Sequence, residues 1–294
     1  MAVAEAYAPA PAGRRWRAPG GGRLATLRSQ GRVGGRVSIG VFLTIVALAF
    51  LAPLLAPHGP IEPAGESFLA PFHHGFLLGT DEVGQDILSR VLYGLRASLI
   101  AAAAVISSGV VIGGVIGLIA GAAGGWVDTL LMRVTDVFLA LPGPVLAIAV
   151  VAALGPSFFH TLLAVSIVWW PFYARIVRGE VKALAARPHL DAARMAGVGP
   201  VRRAWRHLLP GAVPAIVVTA SLDVSNLVVT LASLSFLGLG APAPAPELGA
   251  MTARGLQYLL QEWWVPVVPG AAVFILALVA NLAGDGVRDL IGDR

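Results

Sequence analysis

The apolar residues of this chain are gathered into long blocks, and that distribution limits its fold more than any other feature. Six blocks stand out, at residues 39–57, 97–123, 130–154, 160–178, 214–237 and 265–283. A bilayer core takes about 20 apolar residues of helix. Backbone without internal hydrogen bonds is excluded from hydrocarbon, so each block reads as a helix. A transmembrane barrel needs short alternating segments, and these runs do not alternate. The first block begins too far along the chain for a secretory leader, and five similar blocks follow it. Only 13% of the residues are charged and 57% are apolar, against roughly 25% charged in a soluble domain. The reading is an all-α integral membrane protein with six transmembrane helices.

The second block contains Gly113, Gly117 and Gly121, a small-residue spacing that permits close helix approach in lipid. Residues 1–38 are rich in Ala, Pro, Gly and Arg; they bury no core and read as a mostly disordered basic tail. Six spans with the N-terminus inside place eighteen of the twenty-one basic residues on the inner face. The three on the outside are Arg90, Arg96 and Arg254. That bias orients the chain with both termini cytoplasmic. Trp126, Trp169, Trp170, Trp263 and Trp264 fall near expected span ends, as interfacial anchors do. The basic charge is thereby a topology signal. No aromatic interleaving or zinc spacing accompanies it, so nucleic acid is not an expected partner.

Residues 180–213 are too long for an inner turn. Pro188 and Pro200 suit helix starts, and Gly197 suits a stop, so the segment reads as a helix pair. It either docks a soluble partner or lies on anionic lipid. The 58–96 region carries Asp81, Glu82 and Asp86 on a candidate amphipathic helix. His73 and His74 lack a third ligand nearby, and no metal site is expected. With no cysteine, disulfides and thiolate sites are excluded.

Polar groups inside spans are costly and worth weighing singly. Asp136 stands near Arg133, which suggests a local ion pair or a wet span entrance. Asp223 and Asn226 are three residues apart and so share a helix face; they either line a path or join helices.

The stretch LDAARMAGVGPVRRAWRHLLPG at 190–211 resembles the cytosolic EAA loop of ABC-importer permeases. The matching residues are Asp191, Ala192, Ala193, Gly197, His207, Leu209 and Pro210, with Asp191 standing where glutamate is common. LLGTDEVGQDILSRVLYGLRASL at 77–99, MRVTDVFLALP at 132–142 and LASLSFLGLGAPAPAPELGAM at 231–251 resemble the dipeptide/oligopeptide permease family, most of all its C-type subunit. Gln85 and Gly199–Pro200 depart from the family's usual residues.

The resemblance implies a type I ABC importer fold in a bacterial cytoplasmic membrane. It implies a homologous second permease, two ATPase subunits (or one two-domain ATPase) and an extracytoplasmic substrate-binding protein as partners. The cargo implied is di- or oligopeptides, with haem, nickel or another small solute as alternatives. Asp191, Ala192, Ala193 and Gly197 become the ATPase-coupling segment, with His207 and Pro210 completing the motif. Arg194, Arg202 and Arg206 are candidates for its salt bridges, and Asp81, Glu82 and Asp86 for contact with the binding protein. No Walker loop is present, so no cofactor is expected in this chain; ATP and Mg2+ belong on the partner ATPases. A secondary transporter and an integral-membrane enzyme are the competing classes. The first leaves the helix pair unexplained, and the second lacks a convergent catalytic set.

Overall fold

The structure is a computed structural model describing residues 21–292, with side chains from residue 34 onward. Among the described residues the chain is all helix and loop. Helix α1 (Gly21–Phe50) leads through the short α2 (Ala52–Leu55) into a long loop. Then come α3 (Ile87–Ala123), α4 (Gly125–Leu139), α5 (Gly143–Leu154) and α6 (Phe158–Ala185). The pair α7 (Pro188–Met195) and α8 (Pro200–Arg203) precedes a π turn, Ala204–Leu208, which runs into α9 (Leu209–Phe236). Helix α10 (Leu248–Gly255), a 3-10 turn and α11 (Trp264–Gly292) complete the order.

Four stretches are long and apolar enough to cross a membrane: α3, α6, Pro200–Phe236 and α11. The expected third span, 130–154, is not one rod: α4 and α5 meet at 79°. Pro142 lacks an N–H and holds Leu141 out of the helical region, so α4 ends before it and α5 starts after it. The apolar part of α1, Gly34–Phe50, is shorter than the others. The result is an all-α multi-pass membrane protein with four apolar spans, five when α4 and α5 count as one.

Two boundaries differ from the sequence reading. The tail expected to be disordered is helical from Gly21, while residues 1–20 lie outside the described residues. Part of the cause is visible at Gly35, where an added methyl would sit 2.9 Å from the Gly286 Cα. Two glycines let the backbones of α1 and α11 touch. The second correction concerns 58–96: residues 58–86 contain no helix, and α3 begins at Ile87 and runs unbroken to Ala123. Asp86 starts it by accepting the N–H groups of Leu88 and Ser89 at 3.3 and 3.2 Å, an N-cap.

Helices α3 and α6 form the largest helix contact among the described residues. The glycine spacing accounts for it. A methyl at Gly113 would strike the Trp170 carbonyl, one at Gly117 the Ala174 carbonyl, and one at Gly121 would lie 2.7 Å from Val181 Cγ1. The main core gathers Leu99 and Val105 of α3, Val165 of α6, Leu227 and Leu234 of α9 and Leu276 of α11. The outward faces stay apolar: Val111 is 63% and Phe274 66% exposed, the pattern of a lipid-facing surface. Trp169 and Trp170 lie within α6, away from its ends, and pack inward. Trp170 meets Phe138 edge-on at 5.3 Å, so the expected anchoring role fails for both. Trp126 and Trp263 are exposed, and Trp264 is buried.

Candidate functional site

Helices α6 and α9 are the two legs of the segment that the sequence singles out. Between them α7 turns back against their ends. Leu190 is 3% exposed and belongs to a cluster with Leu184 of α6, Leu208 of the π turn and Ala212 near the start of α9. With Leu190 fixed inward, α7 turns Asp191, Ala192, Arg194 and Met195 to the surface, and Ala193 is half-buried. Asp191 and Arg194 pair with each other at 3.3 Å.

Helix α7 ends on a Schellman motif. The Gly197 N–H donates to the Arg194 carbonyl at 3.0 Å and the Val198 N–H to the Ala193 carbonyl at 3.1 Å. Gly197 sits at φ +75°, where a Cβ is strained, so glycine is the natural stop. Pro200 opens the next helix. It widens at once, as the Leu209 N–H reaches back five residues to the Ala204 carbonyl. Pro210 follows, and its ring has to clear the Arg206 carbonyl four residues back; a π turn moves that carbonyl away. Arg202, Arg206, His207 and Pro210 are all exposed. Arg202 and Arg206 have no carboxylate within 4.0 Å among the described residues. Beside them Met195, Val201 and Trp205 are 85%, 70% and 59% exposed. The exposure of Val201 and Trp205 was not anticipated from the sequence, where both pass for helix filling.

The polar groups within the spans separate. Asp223 is 5% exposed and accepts the Trp169 indole N–H at 3.1 Å, whereas Asn226 is exposed. Asp136 pairs with Arg175 of α6 at 2.7 Å; the local pairing with Arg133 gives way to a cross-helix one. A further triad went unread. Asp128, 6% exposed, receives Arg178 on both oxygens and Lys182 at 2.5 Å.

The 58–86 loop folds over the Ile87 end of α3 and buries two of its three candidate carboxylates. Arg90, 2% exposed, donates to the Pro60 carbonyl at 3.1 Å and to Gln85 Oε1, with Asp81 Oδ2 at 3.5 Å. Asp81 also accepts the Val83 and Gln85 N–H groups at 3.1 and 2.9 Å. Burial, only partly offset by these donors and by Arg90, raises its carboxyl above 3.8. Asp86 is taken up by the α3 cap, by the Ser89 hydroxyl at 2.5 Å and by His58 at 3.4 Å. Asp81 and Asp86 therefore hold the loop together, and Glu82 is the one of the three left half-buried. His73 and His74 are exposed, and among the described residues no three His, Cys, Asp or Glu side chains form a metal-binding group.

The family described as binding-protein-dependent transport system inner membrane component matches residues 113–294. The dipeptide transport system permease protein DppC of Escherichia coli (strain K12) is 40% identical over 273 residues, covering 91% of this chain and 90% of that protein. The probable D,D-dipeptide transport system permease protein DdpC of the same organism is 38% identical over 254 residues, covering 86% and 85%. Among solved structures, an inward-facing conformation of the MetNI methionine ABC transporter matches with a TM-score of 0.56 at 21% identity. That match covers 70% of this chain and 97% of the other, and it supports the fold. The chain belongs to the family of binding-protein-dependent transport system inner membrane components.

Proposed function

We propose that this chain is the permease subunit of an ATP-driven importer and forms half of the path for di- or oligopeptides. The observation that carries the reading is α7. It is a short helix seated through Leu190 on the ends of α6 and α9, with an exposed face of Asp191, Ala192, Arg194 and Met195. A surface of this kind suits a soluble partner better than lipid. Its carboxylate and small residues face outward, and its exposed arginines alternate along the chain with exposed Met195, Val201 and Trp205, unlike a helix with one polar edge. The partner is an ATPase, and Asp191, Ala192, Ala193 and Gly197 are the coupling segment. His207 and Pro210 set the return into α9. Arg202 and Arg206 have no carboxylate partner among the described residues and are available to ATPase carboxylates. Closure of the ATPases shifts the permease only by contacting its two conformations differently, and this segment is where that difference enters.

The working assembly contains a homologous second permease, two ATPases and an extracytoplasmic binding protein. Six crossings complete the topology. Gly34–Phe50 continued through α2 forms the first, and the bent α4–α5 pair the third. Peptide cargo rests on the relatives, whose names specify dipeptides and D,D-dipeptides. Glu82 is the candidate left for binding-protein contact, and exposed Asn226 the one for the path.

The test is reconstitution with the second permease, the ATPases and the binding protein of the same organism. Wild type imports labelled dipeptide into ATP-loaded proteoliposomes. Asp191→Arg together with Met195→Glu abolishes co-purification of the ATPases and import while leaving the permease pair intact. Retained ATPase binding in that variant overturns the coupling assignment.

A further inference from the structure

Helix α4 carries two carboxylates eight residues apart, Asp128 and Asp136, and α6 carries Arg175, Arg178 and Lys182. In the folded chain they form an antiparallel ladder: Asp136 with Arg175 at one rung, Asp128 with Arg178 and Lys182 at the other. The rungs differ in kind. Asp136 and Arg175 are both more than half exposed in their side chains, at 52% and 56%, and water weakens such a pair. Asp128 is buried, and Arg178 grips it with Nε on one oxygen and Nη2 on the other, the latter at 2.8 Å. A two-pronged guanidinium contact fixes orientation as well as distance. Helix α4 therefore neither slides nor rolls on α6 without breaking it. At its other end α4 stops at Leu139, and the chain turns 79° into α5. Along α6, Lys182 lies one turn before the helix ends at Ala185, and α7 follows from Pro188.

We propose that Asp128 is a positioning residue of the transport cycle. Through Arg178 and Lys182 it makes α4 move as one body with α6 and the α7 segment, so bending during the cycle falls at residues 140–142. This rests on the importer reading above and specifies how movement of α7 spreads into the membrane. A clamp that served folding alone would lower the amount of assembled complex. It would not alter the ratio of ATP hydrolysed to substrate moved.

The full complex in proteoliposomes is the material for the test. Arg178→Lys keeps the charge and removes the two-pronged grip; Asp128→Asn keeps hydrogen bonding and removes the charge. Both are expected to raise ATP hydrolysed per substrate imported at least threefold, measured per assembled complex. The exchange Asp128→Arg with Arg178→Asp is expected to recover part of the coupling. The chain has no cysteine, so spin labels go directly on introduced pairs at exposed positions. Between the nucleotide-free and ADP–vanadate states, the Thr129–Ala186 distance is expected to hold while Thr129–Ala152, across the bend, changes. An unchanged ATP ratio in both single variants, or a Thr129–Ala186 change equal to that across the bend, overturns the proposal. Wild-type complex whose ATPase ignores substrate-loaded binding protein overturns the importer reading instead.

Discussion

The indole N–H of Trp169 reaches the buried carboxylate of Asp223 at 3.1 Å and joins α6 to α9 well inside both helices. A charge there is expensive unless it is paired or hydrogen-bonded, and the indole supplies such a bond across two helices. Asp223→Asn keeps an acceptor for Trp169 and is expected to retain peptide import within about twofold. Asp223→Leu leaves the indole N–H without its partner and is expected to cost about 1–3 kcal/mol, read as a lower unfolding temperature in detergent. Loss of import by a well-folded Asp223→Asn would instead assign an anionic role on the path.

Gly197 closes α7 at φ +75°. A β-branched residue is poorly suited to that conformation. Gly197→Val is expected to weaken ATPase co-purification at least tenfold while the expression and monodispersity of the permease stay near wild type. Gly199, which has negative φ and open space around it, is the control: Gly199→Ala is expected to bind as wild type does.

The contact of α3 with α6 depends on missing side chains. At Gly117 a methyl collides with the Ala174 carbonyl, whereas Gly114 in the same helix has nothing within 4 Å. Overpacking costs about 1–3 kcal/mol where neighbours can shift, and more against backbone. Gly117→Ala is therefore expected to lower the unfolding temperature of the purified chain clearly, and Gly114→Ala to leave it unchanged.

Asp81 gives a pH signature. Burial raises its folded carboxyl above the unfolded value of 3.8, so the folded chain binds the proton more tightly than the unfolded chain. This group's contribution to stability consequently falls as pH rises from 3.8 through the folded value. Asp81→Asn keeps an oxygen for the Val83 and Gln85 N–H groups and removes the titration. Unfolding temperatures of the two proteins across that window should therefore shift in favour of the variant as pH rises. A constant difference would argue against the raised carboxyl.

The four long apolar spans were legible because lipid demands a long apolar run and sequence displays it directly, whereas the short first block and the 79° bend in the third were not. The glycine spacing at 113, 117 and 121 was a weaker signal, because the chain holds 35 glycines, and the close approach of α6 gives it its meaning. The pairings were less so. Asp136 has Arg133 three residues away, but Arg175 on the neighbouring helix reaches it, and helix pairing is invisible in a linear chain. Asp223 and Asn226 share a face loosely: three residues leave them about 60° apart on a 3.6-residue turn. At the edge of a contact that angle buries one and exposes the other. Arg90 and its carboxylates read as surface charge because nothing in their spacing reveals a loop folded over a helix end. Gly197 was the clearest local signal in the candidate site. Its conformation depends on its own backbone, not on distant partners.

The meeting of Gly35 with Gly286 bears on how the protein is made. Most of the packing of α1 is with α11, which is made after every other described helix. The first helix therefore enters the bilayer long before its main neighbour exists, and for most of synthesis its glycine face touches lipid or the insertion machinery. That contact therefore forms late, when α11 arrives beside a helix already in place.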